Sequence, residues 1–413
     1  MTESRPRIAY YVTLFPKLSE SFVLNEVVEL RRRGLDIRVI SFDSSHRLEQ
    51  KRHGISDETG EVFYTSDARP WRPVGALLWW LGRRPGAVLS LWRANKNAPV
   101  IRGDSRLGRL ANVLVAAREV RRSGAVHIHS HWSYPTDAAS LTQVLTSTSR
   151  SATLHAHDIF EDLDLYEKAG QPTSARIGPL IFVITCTHHN QMIVRARLSS
   201  DLHSRIHAAY HGLDPRFFAP PSRVAPSAPL RLVSVGRLVP YKGFDLIVRA
   251  LGELVSRGTE ARLVIAGSDG SLTPVVTALV EDLRLGDRVE LRGGVTQAEV
   301  AQLLAEADLF VNHSDPVGEY GVANVIVEAM SSGLPVVVTR RPQVEEYLED
   351  GVNGVLVEHG DLEGVVEALQ RLANDPDLRA RLGAAARVTA TERFDISRTA
   401  EGLRRLLLEA AKQ

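Results

Sequence analysis

Apolar and polar positions in the first part of the chain alternate between short β-rich runs and amphipathic stretches. Residues 7–12 form an apolar run, residues 21–33 have helical spacing up to Gly34, and residues 37–42 form a second apolar run. Strand, helix and strand in this order predict a βαβ unit of a parallel sheet. Similar runs predict three more strands, at residues 125–130, 153–155 and 181–185.

A proline-rich segment interrupts this pattern, which then starts again. Residues 219–229 contain four prolines and no apolar periodicity, as is typical of a linker. Beyond them, apolar runs predict strands at residues 230–235, 261–266, 289–291 and 309–311. Helical spacing predicts helices at residues 243–257, 274–283, 297–305, 377–391 and 396–411. Alternating strands and helices again predict a parallel sheet covered by helices.

The two halves predict two Rossmann-like domains. We expect an N-terminal domain at residues 1–215, a linker at 216–229, a C-terminal domain at 230–395, and a final helix at 396–413 that crosses back to the first domain. A chain of 413 residues is also too long for a single hydrophobic core. Doubly wound sheets bind ligands outside the carboxyl ends of their strands, so the chemistry is expected in a central cleft between the facing domains.

The composition of the chain indicates the cellular compartment of the protein. Its single cysteine, Cys186, excludes an intramolecular disulfide framework and fits a reducing compartment. The start of the chain lacks the pattern of a signal peptide, and no apolar run approaches the roughly 18 residues of a membrane span. We therefore expect a cytoplasmic protein.

The net charge of +1 hides an uneven distribution. Residues 1–215 carry 28 Lys and Arg against 21 Asp and Glu, whereas the remainder carries 22 against 28. The basic half predicts contact with an anionic surface. The near-neutral total and the lack of a binding motif argue against nucleic acid as a partner.

Aromatic and basic residues are concentrated between residues 71 and 93. Four of the five tryptophans fall there, interleaved with arginines: Trp71, Trp79, Trp80, Trp92, Arg72, Arg83, Arg84 and Arg93. Trp and Arg together are typical of peripheral contact with an anionic membrane. The alternative is that the tryptophans pack a helix onto the sheet while the arginines are solvated.

The loop after the strand at residues 230–235 has the composition of a phosphate site. It has the sequence Gly236-Arg-Leu-Val-Pro-Tyr-Lys-Gly243 and is followed directly by a predicted helix. Glycines allow close approach of the backbone, the helix N-terminus presents free amides, and Arg237 and Lys242 supply positive charge for a diphosphate. The alternative is a strand end with two solvated charges.

Further motifs resemble one enzyme family. Gly236-Arg237 with Lys242-Gly243 matches G-R-x-x-x-x-K-G, and Glu328-Ala-Met with Gly333-Leu-Pro-Val matches E-A-M-A-x-G-x-P-V. Together with similar segments at 15–23, 153–159 and 211–214, they make the chain resemble the family-4 retaining glycosyltransferases of GT-B fold, particularly the exopolysaccharide and colanic-acid type. The resemblance implies an α/β fold with two Rossmann-like domains facing a central cleft.

The resemblance also implies a donor site. A Glu at the position of Glu328 holds the ribose hydroxyls in that family, and the family's other carboxylate lies eight positions earlier, where this chain has Tyr320 with Glu319 one residue out of register. The expected catalytic residues are Arg237, Lys242, His155 and Glu319. The other expected donor-binding residues are Gly236, Gly267, Gly293, Gly321, Val322 and Asn324.

On the acceptor side, the resemblance implies roles for the loops after the early strands. The first His of Thr153-Leu-His-Ala-His-Asp158 contacts the donor sugar in similar enzymes, so His155 is assigned that role. The expected acceptor-side residues are Ser19, Glu20, Ser21, His157 and Asp158. Asp158 and Ser19 have an alternative role as helix N-caps.

Three histidines at alternate positions, His127, His129 and His131, lie on one side of a predicted strand and raise the question of a zinc site. We reject that interpretation, because no fourth ligand stands nearby in sequence and the segment matches a strand end of the family. No metal and no cofactor are expected, since two basic side chains can replace a divalent ion at the diphosphate.

The expected function is that of a hexosyltransferase. It would retain configuration while moving a hexose or N-acetylhexosamine from a nucleoside-diphosphate sugar to an envelope-polysaccharide, glycolipid or secondary-metabolite acceptor, at the inner face of the cytoplasmic membrane. Two alternatives remain at this point: a nucleotide-sugar 2-epimerase, and a non-catalytic sugar-nucleotide-binding partner subunit.

Overall fold

The computed structural model describes residues 6–17, 20–45, 61–66, 71–100, 105–218 and 229–413. The chain divides into two compact units, Met1–Tyr210 with Ser397–Gln413 and His211–Ile396. The division falls before residue 215 because the amide of Leu213 donates to the carbonyl of Phe394 at 2.8 Å, and Leu213 in turn accepts from the amide of Ile396 at 2.9 Å. Of the predicted linker, residues 219–228 lie outside the described residues.

The first unit contains a seven-stranded parallel sheet in the order β3-β2-β1-β4-β5-β6-β7. Its strands are β1 (Arg7–Leu14), β2 (Asp36–Asp43), β3 (Val62–Tyr64), β4 (His127–His131), β5 (Ser149–Leu154), β6 (Val183–Thr185) and β7 (Ile206–Ala208). The inner strands are buried along most of their length because helices cover both faces of the sheet, and β4 and β5 carry buried His, Ser and Thr side chains. Neither β3 nor β7, each only three residues long, was predicted from the sequence.

Eight α-helices are described between the strands of this unit. They are α1 (Ser21–Arg32), α2 (Arg72–Leu81), α3 (Pro85–Asn97), α4 (Arg106–Ser123), α5 (Ser133–Thr146), α6 (Leu163–Lys168), α7 (Thr173–Ile177) and α8 (His188–Ala196). A π-helical turn, Asp158–Asp162, precedes α6. The Ser105 side chain caps α4 by accepting from the amide of Gly108, and Gly124 ends that helix in the left-handed conformation.

The second unit contains a six-stranded parallel sheet in the order β10-β9-β8-β11-β12-β13. Its strands are β8 (Leu230–Val235), β9 (Ala261–Ala266), β10 (Val289–Leu291), β11 (Leu309–Asn312), β12 (Val336–Thr339) and β13 (Val355–Val357). Its helices are α9 (Phe244–Ser256), α10 (Thr273–Asp282), α11 (Gln297–Glu306), α12 (Asn324–Ser331), α13 (Pro342–Glu345), α14 (Leu362–Asn374) and α15 (Pro376–Arg393). The leucines, isoleucines and valines of β8, β9 and α9 form the centre of its core.

The last helix, α16 (Ile396–Ala410), belongs almost entirely to the first unit. Near its end, the hydroxyl of Ser149 donates to the carbonyl of Ala410 at 3.2 Å. Nearer its start, Arg33 forms an ion pair with Glu401 at 2.8 Å. The chain therefore returns to the unit in which it began. None of the helices in the described residues combines the length and the apolar composition needed to span a membrane.

Strand order places one crevice in each sheet. The direction of winding reverses beside β1, which lies between β2 and β4, and beside β8, which lies between β9 and β11. In open parallel sheets, ligands bind outside the carboxyl ends of the strands at such a reversal. The segments after β1, β4, β8 and β11 are therefore the places to look for a site.

Candidate active site

The loop between β8 and α9 lies along the carboxyl edge of the second sheet. The amide of Gly236 donates to the carbonyl of Ala266 at 2.9 Å, and that of Leu238 donates to Ser268 at 3.1 Å. A 3₁₀ turn, Pro240–Lys242, then leads to Gly243, whose φ of 58° starts α9. The loop thus presents its backbone and the first turn of α9 at the reversal point, as a phosphate site requires.

Two glycines of this region have no room for a side chain. A Cβ on Gly243 would lie 2.0 Å from the carbonyl oxygen of His313, and a Cβ on Gly267 would lie 1.8 Å from that of Gly236. The amide of Gly267 also donates to the carbonyl of Gly293 at 2.7 Å, so Gly236, Gly267 and Gly293, which were expected to bind the donor, adjoin one another. Only glycine lets the backbones approach this closely.

The two cations expected at the donor diphosphate have different surroundings. Arg237 is exposed, and its Nη2 donates to the hydroxyl of Tyr241 at 2.9 Å. Lys242 forms an ion pair with the carboxylate of Glu319, and the two side chains are only 12% and 13% exposed. The carboxylate of Glu319 thus reaches the lysine of the loop between β8 and α9.

The carboxyl group of Glu319 is ionised although it is buried. Burial alone would raise the pKa of this carboxyl, but the positive charges of Lys242 and Arg341 outweigh it, and the pKa lies below the ordinary value. Arg341 also donates from Nη1 to the backbone carbonyl of Glu319 at 2.7 Å. Two cations therefore hold both the side chain and the backbone of this residue.

Arg341 is a site residue that sequence reasoning missed. It follows β12 at the carboxyl edge of the sheet and is only 1% exposed. Within the described part of the chain, its Nε and Nη2 have no hydrogen-bond partner. No motif flagged it, and the one available signal was an Arg-Arg pair close behind the apolar residues 334–338, for which we predicted no strand.

Glu328 lies in the second turn of α12 and is 9% exposed. Burial raises the pKa of its carboxyl to about 7, although a hydrogen bond with Gln297 opposes the shift. The helix begins at Asn324, directly after the segment containing Gly321 and Val322, so its free amides face the same end of the unit. A buried carboxylate beside a helix N-terminus suits a ligand that offers hydroxyls and phosphates.

His313, which sequence reasoning also missed, follows β11 at this edge. Its Nε2 accepts a hydrogen bond from the amide of Gly360 at 2.9 Å, and its ring stacks on that of His359 with centroids 5.6 Å apart. Burial, with the charge of His359 as a smaller cause, lowers the pKa of His313 to about 4. This histidine is therefore neutral at physiological pH and positions the loop after β13.

In the first unit, His155 lies in a buried polar cluster. Its Nε2 is 3.1 Å from Nδ1 of His131, whose Nε2 is 3.0 Å from the hydroxyl of Tyr10, and that hydroxyl donates to Glu26. The Sγ of Cys186 lies 3.6 Å from Nδ1 of His155. Burial raises the pKa of this thiol, so it stays protonated. The cluster joins the ends of β1, β4, β5 and β6.

Trp132 is a strained residue at the end of β4. Its φ of 67° with ψ of 166° is a backbone conformation that is almost confined to glycine. The indole stacks on His155, with ring centroids 4.5 Å apart and an interplanar angle of 22°, and Phe22 lies 6.3 Å from it. Strain of this kind is retained where surrounding contacts enforce it.

The carboxylate of Asp158 accepts hydrogen bonds from two backbone amides. One carboxylate oxygen accepts from the amide of His155 at 2.7 Å, and the other accepts from that of Ser133 at 2.8 Å. The side chain thereby ties the loops after β4 and β5, and burial raises its pKa to about 6. These two hydrogen bonds give Asp158 a structural role, and its expected contact with the acceptor stays a prediction. His157 is exposed and lies 2.7 Å from Glu161.

The remaining acceptor-side residues flank the start of α1. Ser19 lies outside the described residues. Glu20 forms an ion pair with Lys17, and Ser21 is the first residue of the helix. Their expected contact with the acceptor stays a prediction.

The three histidines of β4 form a hydrogen-bonded ladder with β5. His127 lies 2.8 Å from the hydroxyl of Ser149 and 2.7 Å from that of Ser151. His129 lies 2.8 Å from Ser151 and 3.0 Å from Thr153. Burial lowers the pKa of His127 to about 3 and that of His129 well below its usual value, so both rings are neutral.

One set of side chains in this cluster has the spacing of metal ligands. Glu26, His129 and His131 bring one ligand atom each within 4.8 Å of one another. Both ring nitrogens of His129 are hydrogen-bonded to hydroxyls, which explains the arrangement without an ion. The absence of a metal requirement remains a prediction.

The tryptophan-rich region contains both packed and solvent-exposed tryptophans. Trp80 is buried and donates to the carbonyl of Leu114 at 3.3 Å, and Trp79 is half-buried beneath Arg83, whose guanidinium lies 4.2 Å from the ring. Trp71 and Trp92, in contrast, are 65% and 52% exposed. Two tryptophans therefore pack the helices, and two face solvent.

Comparison with known proteins identifies a family for the second unit. Residues 217–389 match the family model described as glycosyl transferases group 1. The chain is 26% identical to the amylovoran biosynthesis glycosyltransferase AmsK of Erwinia amylovora, over 89% of this chain and 90% of that protein. It is 25% identical to the putative colanic acid biosynthesis glycosyltransferase WcaL of Salmonella typhimurium, over 88% and 89%.

Solved structures share the fold. A glycosyltransferase from Rickettsia africae matches with a TM-score of 0.75 at 15% identity, over 99% of both chains. The Anabaena protein HepE, crystallised with UDP and glucose, matches with a TM-score of 0.70 at 17% identity, over 98% of this chain and 100% of that one. At these identities the likeness establishes the architecture alone.

Proposed function

Because the chain is a glycosyltransferase of the group 1 family with the GT-B fold, as its motifs predicted, we propose that it transfers a hexose or N-acetylhexosamine from a nucleoside-diphosphate sugar to an acceptor in envelope-polysaccharide synthesis. The observation that carries the donor assignment is the Lys242–Glu319 pair beside the phosphate loop. The relatives named for amylovoran and colanic acid synthesis support the acceptor class.

The donor diphosphate is proposed to lie on the loop between β8 and α9. Arg237 and Lys242 would share its negative charge, and the first turn of α9 would donate amide hydrogen bonds to it. Glu328 would accept hydrogen bonds from both ribose hydroxyls, which only the ionised carboxylate can do with its two oxygens. UDP is the first nucleotide to test, since HepE was crystallised with it.

In the proposed reaction the bond between the anomeric carbon and the phosphate oxygen breaks while the acceptor oxygen attacks from the same face. The proton of the acceptor hydroxyl passes to the departing phosphate oxygen, and configuration is retained. Fixed cations accelerate such a step because charge develops on the leaving diphosphate, so Arg237 and Lys242 would do most of the stabilising. We propose that this happens without a metal ion.

The acceptor is proposed to be a sugar or lipid-linked sugar recognised by the first unit. His155 is buried among His131, Cys186 and the Trp132 ring, which positions its imidazole firmly. Two exposed tryptophans, Trp71 and Trp92, support peripheral contact with an anionic membrane. We propose that the enzyme works in the cytoplasm at the inner face of that membrane.

The contact between Glu319 and Lys242 weakens the non-catalytic alternative. That alternative rested on Tyr320 occupying the position of the expected carboxylate. Since Glu319 supplies a carboxylate to the phosphate loop, the acidic group is present in the fold although it is displaced by one residue in the sequence.

A panel of UDP-, GDP- and dTDP-sugars, screened by thermal shift and by slow donor hydrolysis, tests the proposal. We expect one donor to stabilise the protein and to release its nucleoside diphosphate, and we expect Lys242→Ala and Glu328→Ala to abolish both effects. Formation of a nucleotide-linked sugar isomer would instead identify an epimerase. A lack of response to every nucleotide would refute the donor site.

A further inference from the structure

A cavity of about 280 Å³ lies in the first unit, and none of its lining residues was assigned to the donor or the acceptor. It is enclosed by β3, α2 and the second half of α4. Its lining residues are Phe63, Arg72, Ala76, Val115, Arg118, Glu119 and Arg122. Three guanidinium groups thus line one small space, and the reaction proposed above gives them no role.

The only carboxylate among these lining residues is already neutralised from outside the cavity. Arg38 on β2 donates to Glu119 from Nε at 2.9 Å and forms an ion pair with it from Nη2 at 2.7 Å. Arg38 also pairs with the exposed Glu61 at 2.7 Å. In the described ranges, no ion pair joins Arg72, Arg118 or Arg122 to a carboxylate, so positive charge is in excess and favours an anion.

Aromatic rings hold two of these arginines in place. The guanidinium of Arg72 lies 4.8 Å from the centre of the Phe63 ring, and its Nη1 donates to the carbonyl of Tyr64 at 3.1 Å. The guanidinium of Arg118 lies 5.7 Å from the Trp79 ring. Guanidinium groups stacked in this way lose little freedom on binding and keep N–H groups available for a phosphate.

The helix that contributes Arg72 and Ala76 to the cavity has an apolar face towards solvent. Val74 is 57% exposed, Leu78 is 64% exposed and Leu81 is 42% exposed, and Trp71 stands at the start of the same face. On α3, which follows directly, Trp92 is exposed under Lys96, whose Nζ lies 5.5 Å from the ring. Exposed Trp and Leu beside basic side chains are typical of a helix lying in a membrane interface.

We propose that this cavity binds the phosphate of an anionic phospholipid headgroup while the exposed face of α2 enters the interface of the same bilayer. The cavity supplies the charge-assisted hydrogen bonds, and the adjoining Trp and Leu side chains supply apolar burial. The inference rests on the membrane contact proposed for this enzyme, but it does not depend on the identity of the donor or the acceptor.

The test is sedimentation of the full-length protein with vesicles of phosphatidylcholine alone or with about 30% phosphatidylglycerol. Arg118→Ala with Arg122→Ala removes two cavity arginines. The matched control, Arg106→Ala with Arg121→Ala, removes two exposed arginines of the same helix that do not line the cavity. We expect the cavity variant to lose at least about tenfold more affinity for anionic vesicles than the control.

Equal losses of vesicle affinity in the two variants would overturn the proposal, because they would show that binding depends on general surface charge and not on the cavity. If inorganic phosphate stabilises the wild type but the protein does not bind anionic vesicles, the ligand is free phosphate and the proposal of a lipid headgroup is refuted. Trp71→Ser with Trp92→Ser should weaken binding to both kinds of vesicle, and a lack of effect would overturn the interfacial helix.

Donor hydrolysis separates this inference from the proposed function. The cavity variant and its control should hydrolyse the donor at the wild-type rate, since neither variant touches the second unit. Absence of hydrolysis in every protein, with selective loss of vesicle binding in the cavity variant, would refute the transferase proposal and leave the headgroup site standing.

Discussion

Glu328→Gln should make donor binding nearly independent of pH between about 6 and 8, whereas the wild type should bind about tenfold more tightly at pH 8. The pKa of Glu328 is about 7 in the folded protein. If only the ionised carboxylate accepts both ribose hydroxyls, the competent fraction is about one tenth at pH 6 and about nine tenths at pH 8, and apparent affinity follows that fraction.

The raised pKa of Glu328 also makes the stability of the folded protein depend on pH. Burial raises the pKa from 4.5 in the unfolded chain to about 7 in the folded one. The wild type therefore loses stability relative to the Gln variant as pH rises from about 4.5 to about 7, up to roughly 3 kcal/mol, and the difference is then constant. In a domain of this size each kcal/mol is worth about 2–4 °C of Tm.

Isothermal titration calorimetry with an intact sugar nucleotide measures the affinity, because its diphosphate does not titrate in this range. Thermal denaturation at pH 5 and pH 8 measures the stability. Glu281→Gln, an exposed glutamate of α10, is the control and should behave as the wild type. The reasoning fails if the wild-type affinity is flat with pH, or if Glu328→Gln keeps the tenfold change.

Substitutions at three other residues provide further tests. Arg341→Gln should lower turnover at least about tenfold in steady-state assays by releasing Glu319, since a charged hydrogen bond is worth about 1.5–3 kcal/mol. Arg340→Gln, which changes a half-buried neighbour that pairs with Glu345 and Glu358 instead, should have less than about a twofold effect, and similar losses in both variants would refute this role. Gly243→Ala should destabilise the second unit in urea by roughly 2 kcal/mol or more, because its Cβ would lie 2.0 Å from a carbonyl oxygen. Gly286→Ala, which has open space, should stay within about 0.5 kcal/mol, and an equal effect would contradict the steric argument. Asp158→Asn should cost the first unit about 1–3 kcal/mol, since an amide can accept at only one of the two backbone N–H groups; unchanged urea unfolding would show that these bonds contribute little.

The ambiguity at residues 319 and 320 shows where sequence reasoning stops. In the motif, Tyr320 stands at the family's carboxylate position and Glu319 lies beside it. The fold resolves the matter, because the loop after β11 brings the Glu319 carboxylate to Lys242, a residue 77 positions away in the chain. The position of a residue within one motif does not reveal which residue of another segment it contacts.

Arg341 and the histidine ladder illustrate the same limit. The alternate spacing of His127, His129 and His131 predicted that they share one side of a strand, and they do. It did not predict that β5 places Ser149, Ser151 and Thr153 opposite them, because strand pairing is a long-range choice. Arg341 matched no motif, and its contact with Glu319 depends on the loop after another strand.

The sequence by itself determined the alternation of strands and helices, the two parallel sheets, the candidate phosphate loop at 236–243 and the resemblance to glycosyltransferases, because these features depend on short-range periodicity and on motifs within one segment. The tertiary structure alone decided that Glu319 meets Lys242, that Asp158 accepts from two backbone amides, and that Arg341 donates to the carbonyl of Glu319. It also gathered three arginines into one cavity. These contacts join residues that are distant in the chain and become neighbours only when strand order brings their loops to one edge of a sheet.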